Sequence, residues 1–343
     1  MSGRRTGRRR APGLLSKPRR RGAAGSAATL CVTLLMGACA SGGSYPDTPL
    51  PTPTRSAPPT SAAGPAAGAT PAPCTNATAS YAPLPALPKA ADLPPGRLRE
   101  IRDRGQLIVG VSADSLLLGA RNPLTGRIEG FDIDMSREVA RAILGDPEKV
   151  QLTVIQATDR IPVLENRSVD MVARNMTMTC DRWARVAFSS EYYHSGQKLL
   201  VAKGSPVTAL SQLAGKKVCA PNGTSSMDKL RTFTGVTAVG ADTHTGCLVL
   251  FQQGKVDAIT GDDTVLAGLV AQDPYAYVPP GDPITSEPYG LAVNKDDRVF
   301  VQYLNTILEQ MRADGRWKAI YDRWFAAPLG PAPAPPAPVY GRA

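Results

Sequence analysis

The sequence predicts an α/β fold divided into two lobes, and two observations carry that prediction. Strand-like apolar runs alternate with helix-patterned stretches along most of the chain. Between Pro-rich flanks lie about 230 residues, more than one small core usually organises.

From the N-terminus, eight Arg and Lys17 precede an apolar run at 23–36 that ends in Leu35-Met-Gly-Ala-Cys39. A basic start, a short apolar core and small residues before the break read as a secretory signal over residues 1–38, too short for a stable membrane span. Cys39 directly after small residues is similar to a lipid-attachment box. It is therefore expected to carry a palmitate-type lipid and to become the mature N-terminus; a simple secretory signal is the alternative. The leader also explains the charge. Removing its nine basic and no acidic residues from a formal +10 leaves +1, so nucleic-acid binding loses its main support. Residues 39–96, dominated by Pro, Ala, Ser, Thr and Gly, are expected to form a disordered tether.

The folded part opens on a strand at 107–111, with further strand-like runs at 152–155, 169–173, 198–201, 217–220 and 257–260. Met135, Val139, Ala142 and Ile143 recur at helical spacing, and Gly145 offers a stop, so one face of this helix is expected to pack on the sheet. Residues 326–343 are Pro-rich without helical period and are expected to be disordered.

The most informative stretch is 169–193. An apolar strand there runs into the Thr-rich turn Asn175-Met-Thr-Met-Thr179 and then a helix carrying Arg182. Backbone N–H groups, hydroxyls and a guanidinium converge where an anion could sit. Together with Glu129-Gly-Phe-Asp-Ile-Asp134, Arg160-Ile-Pro162, Val256-Asp-Ala-Ile-Thr-Gly-Asp262 and Asp314-Gly-Arg-Trp-Lys-Ala-Ile-Tyr-Asp-Arg-Trp324, it resembles the polar-amino-acid family of bacterial extracellular solute-binding proteins, the glutamate/aspartate/glutamine type. The resemblance covers 97–325. It implies a two-lobed periplasmic-binding-protein-like fold, with lobe 1 at 97–202 and 286–325, lobe 2 at 203–285, and a hinge of two crossover strands near Lys203-Gly204 and 286–289.

The resemblance also implies site roles. Arg182 would hold a ligand's α-carboxylate, Thr177 would supply a hydroxyl and backbone donor beside it, and Asn175 an acceptor. Asp262 would hold the α-ammonium from lobe 2, and the loop at Gly223, Thr224 and Ser225 would donate N–H groups to an anion. Arg160 would face a side-chain carboxylate, and His244 falls where some binders of acidic amino acids place a His. Four of these have a blander reading: Arg182 in a surface pair with Asp181 or Glu191, the 223–225 loop as an ordinary Ser or Thr helix cap, Arg160 on a helix surface beside Asp159 and Glu165, and His244 as a structural residue.

With Cys31 in the leader and Cys39 lipidated, Cys74, Cys180, Cys219 and Cys247 remain, an even number suited to an oxidising compartment. Three pairings are open. Cys219 ends a strand and Cys247 begins a helix of the same lobe, which favours that bridge and leaves Cys74 with Cys180. No CxxC spacing exists and only His194 and His244 are available, so neither a metal nor another cofactor is expected. The partners expected are a free amino acid, an ABC importer permease and the outer face of the cell membrane through the lipid, with the protein a monomer. A sensor read by a membrane signalling partner is the variant. An enzyme on this fold would need a positioned acid or base, and neither a Ser/His/Asp order nor a nucleophile elbow is present; His244 is the sole candidate.

Overall fold

The apolar run Leu107–Val111 lies inside a five-stranded sheet in the computed structural model, which describes residues 74–89, 92–93 and 95–342. The leader and Cys39 lie outside the described residues. The strand order is Val150–Val154, Leu107–Val111, Met171–Val172, Ala292–Asn294 and Val186–Phe188. The first three are parallel, and Ala292–Asn294 runs antiparallel between its two neighbours. Leu107, Val109 and Val111 are buried together with Phe131, Ile133, Met135 and Val139 of the helix Phe131–Leu144, so the helical stripe read from the sequence meets the sheet. Gly130 makes the entry possible: its φ is +147°, and a Cβ there would fall 2.3 Å from the Leu118 carbonyl. Helices Arg298–Ala313 and Arg316–Trp324 complete this first lobe.

The second lobe is built on a second sheet, ordered Thr237–Ala241, Lys217–Pro221, Ala258–Asp262, Tyr193–Ala202 and Ala276–Tyr277, with Thr285–Tyr289 also paired to Tyr193–Ala202. Its helices are Ser225–Leu230, His244–Gln252 and Asp263–Gln272. This corrects the expected lobe boundaries. The expectation places residues 193–202 in lobe 1, but Gln197 to Leu200 pair antiparallel with Asp262 to Ile259, and Leu199, Leu200 and Val201 are buried in the second lobe's cores, so all but the start of this strand belongs to the second lobe. The chain therefore crosses to the second lobe along the first residues of Tyr193–Ala202, not at Lys203-Gly204, and returns along Thr285–Tyr289, where the return was expected. Two strands still cross side by side, tied where the Tyr192 N–H donates to the Tyr289 carbonyl at 2.9 Å. Tyr193, the first residue of the long strand, reaches back to stack against Tyr321 of the first lobe, ring centres 6.3 Å apart.

The described end of the expected tether, from Cys74, and the C-terminal tail depart from the expected disorder, while residues 39–73 lie outside the described residues. Ala79–Ser80 pairs in parallel with Val339–Tyr340. The Asn305 amide donates to Ser80 Oγ at 3.0 Å and to the Tyr81 carbonyl at 2.7 Å, and Trp183 Nε1 donates to the Ala77 carbonyl at 2.8 Å. The Arg342 guanidinium lies 3.7 Å from the centre of the Trp183 ring, and Ala326–Leu329 forms a short helix. Composition misleads here because Pro already restricts these segments, so a few long-range anchors suffice to hold them without a core of their own.

Among the described residues two disulfides are present, Cys74–Cys180 and Cys219–Cys247, with sequence separations of 106 and 28. The first ties the N-terminal strap to the helix Cys180–Trp183 that carries Arg182. Closing so long a loop restricts the unfolded chain, which is typically worth about 2–4 kcal/mol. Replacing Cys74 and Cys180 together with Ser is expected to lower Tm by about 5–15 °C in a thermal melt; an unchanged Tm would show that the strap adds nothing to stability. Among the described residues no helix is long and apolar enough to cross a membrane.

Candidate functional site

On the first lobe, the strand Met171–Val172 ends in a turn that bends sharply at Asn175, whose φ is +35°. Such a backbone persists only when its surroundings hold it. Here the Asn175 N–H donates to Asp132 Oδ2 at 2.9 Å, and the Tyr192 hydroxyl donates to Asp132 Oδ1 at 2.7 Å. Burial pushes the Asp132 pKa up to about 6, against the pull of those two bonds and of Arg174. Thr179 then caps the helix Cys180–Trp183, its hydroxyl accepting the Arg182 N–H at 3.2 Å. This places Arg182 in the first turn. Its Nη1 donates to the Thr177 carbonyl at 2.6 Å, and its Nη2 lies 3.4 Å from the Gly223 carbonyl of the other lobe. Burial lowers its pKa, while Glu287, Asp262 and Asp228 raise it.

Arg160 sits beside it, buried, with its guanidinium spread over backbone carbonyls. Nε donates to Ala157 at 3.0 Å, Nη1 to Arg174 and Asn175 at 3.3 and 3.2 Å, and Nη2 to Gly223 at 2.9 Å. Burial, and then the neighbouring cations Arg182 and Arg174, pull its pKa well below the usual guanidinium range. A cleft of about 240 Å³ opens where Arg160 and Arg182 meet Pro162, Met176 and Gly223.

On the second lobe, Lys217–Pro221 leads through Asn222 and Gly223 into the helix Ser225–Leu230. Gly223 has a φ of +72°, and a Cβ there would lie 3.1 Å from the Thr158 Cα of the first lobe, so both conformation and lobe contact favour glycine. Thr224 is a helix cap: its hydroxyl accepts the Met227 N–H at 3.1 Å and donates to the Pro221 carbonyl at 2.7 Å. The Ser225 hydroxyl is directed elsewhere, to Glu287 Oε2 at 2.6 Å.

Asp262 ends its strand buried. It accepts the Tyr289 hydroxyl at 2.6 Å and Ser226 Oγ at 3.3 Å. Burial, followed by the nearby Glu287 charge, pushes its pKa up to about 7. Asn175 donates its side-chain amide toward it, while Asn175 Oδ1 is buried with no hydrogen-bond partner among the described residues. His244 is also buried; its Nε2 has no partner among the described residues, and a Cβ on Gly261 would fall 2.5 Å from that nitrogen. Burial and the Arg174 charge drive its pKa down to about 3, so it is neutral near pH 7. A second opening of about 530 Å³ is lined by Asp114, Asp159, Arg174 and Thr243. Thr245 closes the lobes next to it by donating to the Asp114 carbonyl at 3.1 Å.

The structure thus brings Arg160, Arg182, Asn175 and Thr177 of one lobe against Gly223, Ser225 and Asp262 of the other. Thr224 serves the helix, and His244 packs behind Asp262 on Gly261. Three contributors were not read from the sequence: Arg174, Tyr289 and Glu287. The last two share a signal. Thr285, Glu287 and Tyr289 alternate along one crossover strand, so all three side chains share a face. Cations on one lobe opposite carboxylates on the other suit a small zwitterion.

The family described as bacterial extracellular solute-binding proteins, family 3, matches residues 107–327. The ABC transporter glutamine-binding protein GlnH of Bacillus subtilis is 37% identical over 230 residues, covering 66% of this chain and 84% of that protein. The L-glutamate/L-aspartate-binding protein of Pseudomonas aeruginosa is 29% identical over 271 residues, 76% of this chain and 90% of its own. Among solved structures, an ancestral arginine-binding protein bound to glutamine superposes with a TM-score of 0.61 at 33% identity, covering 65% of this chain and 98% of that one.

Proposed function

Because this chain belongs to the bacterial extracellular solute-binding proteins, family 3, we propose that it captures an acidic or related polar amino acid between its lobes and delivers it to an ABC importer permease. Its family and relatives are receptors for solutes rather than enzymes. Glutamate is the favoured ligand, ahead of aspartate, glutamine and asparagine. The observation that carries this reading is the opposition of Arg182 to Asp262 where the lobes meet at Gly223. Arg182 takes the α-carboxylate, Asp262 takes the α-ammonium, and Arg160 takes the distal carboxylate by exchanging a carbonyl contact for the ligand. Relatives named for glutamine and for glutamate and aspartate support that ligand class. Lipid on Cys39 holds the monomeric receptor at the outer face of the cell membrane.

Calorimetric titration of the mature chain with Glu, Asp, Gln and Asn near neutral pH tests the reading. Glutamate is expected to bind tightest, and Arg160→Ala to weaken it about tenfold more than glutamine. Tighter binding of the amides, or equal losses for Glu and Gln, would remove Arg160 from the site.

A further inference from the structure

Glu287 is 2% exposed and lies on the strand by which the chain returns from the second lobe to the first. Its Oε2 accepts two hydroxyls, Thr177 Oγ1 of the first lobe and Ser225 Oγ of the second, each at 2.6 Å. Its Oε1 accepts Thr285 Oγ1 at 2.5 Å. One carboxylate therefore bridges the lobes through hydroxyls that themselves stand 3.2 Å apart.

A hydroxyl has one proton and two lone pairs. Once Thr177 and Ser225 give their protons to Glu287, each presents lone pairs alone to anything else beside it. They can accept from a cation, and they cannot donate to an anion. This reverses the donor role first expected for the Thr177 hydroxyl and leaves its backbone for that purpose. Two neighbours point the same way. Asn175 Oδ1 is a buried acceptor without a partner among the described residues, and Asp262, which the Asn175 amide also reaches, carries the opposing carboxylate.

We propose that Glu287 is a positioning residue that sets the polarity of the Thr177 and Ser225 hydroxyls, making them acceptors for the ligand's ammonium and so making binding selective for ligands that carry an amine. The inference rests on the reading of the chain as an amino-acid receptor and adds a residue to it. In Glu287→Gln the shape is kept, but the amide presents its own N–H donors and turns a hydroxyl around.

The test compares glutamate with glutarate, which is glutamate without its amine, by calorimetric titration of the wild-type mature chain, Glu287→Gln and Ser225→Ala. Should another of the four amino acids bind tightest, that amino acid and its amine-free counterpart form the pair. Glu287→Gln is expected to weaken the amino acid about 10- to 100-fold and its amine-free counterpart less than about threefold. Ser225→Ala, which removes one acceptor and leaves the carboxylate in place, is expected to shift the ratio in the same direction by a smaller factor. Equal losses for both ligands in both variants would reduce Glu287 to a structural tie and overturn the proposal while leaving the receptor reading intact. A wild-type protein that binds none of the four amino acids would overturn both.

Discussion

Arg182→Ala is expected to weaken every amino acid the protein binds by about a thousandfold. Truncating one member of a buried, hydrogen-bonded charge pair costs 2–5 kcal/mol or more, about 30- to several thousand-fold, because the partner charge is left buried and unpaired. Arg182 stands toward the upper end for two reasons visible in its contacts. The residue is only 9% exposed, and it holds the Thr177 carbonyl at 2.6 Å, so its loss also loosens the turn that presents Thr177. Arg182→Lys separates these contributions. It keeps the charge but not the planar fork, and should recover only part of the loss. The measurement is titration of the three proteins with the same ligand, with circular dichroism to confirm that all are folded. An affinity within about fivefold of wild type for Arg182→Ala would place the residue outside the site.

Asp262→Asn is expected to weaken every α-amino acid by about 100- to 1000-fold and yet to make the protein more stable above neutral pH. The first effect follows from removing the counter-ion of the ammonium. The second follows from the carboxylate's position. Asp262 is pushed up from 3.8 to about 7, chiefly by burial and then by Glu287. The folded state therefore holds a proton that the unfolded chain releases, so the destabilising contribution grows as pH rises from about 3.8 and is complete above about 7. Asparagine has no charge to bury, so the gain in Tm should be largest near pH 8 and vanish near pH 4. Asp132, pushed up to about 6, adds a dependence of the same sign in the wild type and the variant alike. Ligand affinity of the wild type runs the other way and rises with pH through about 7, because ionised Asp262 is the form that pairs with an ammonium. Melts from pH 4 to pH 8, with titrations at the two ends, check both halves. A variant that is destabilised at pH 8 and still binds would overturn the assignment.

On the proposed reading these residues combine a functional role with a stability penalty: charges that would serve a zwitterion are already desolvated in the cleft.

How much of this was legible in the chain depends on the range of the interaction. Alternation of strand-like and helical stretches, the apolar stripe of Phe131–Leu144 and its stop at Gly145 are short-range patterns, and they appear where the sequence places them. Arg182, just after a Thr-rich turn, and Asp262, at the end of a short strand, could be selected as candidates because the stretches around them resemble those of the family. Their partners could not. Glu287 meets Thr177 across 110 residues and Ser225 across 62, and no local period connects them. The assignment of Tyr193–Ala202 to the second lobe rests on its ladder with Ala258–Asp262, a pairing decided by sheet register rather than by the strand's own residues. The order of residues 74–89 and of the C-terminal segment is tied to a disulfide and a stacked Arg342 that composition does not weigh. By itself, then, the sequence determined the α/β elements and the residue types available to hold opposite charges. Tertiary structure alone decided which carboxylate faces which hydroxyl, which polar atoms are left without partners among the described residues and where the chain crosses between the lobes, because those outcomes depend on desolvation and on contacts formed only when distant segments are buried together.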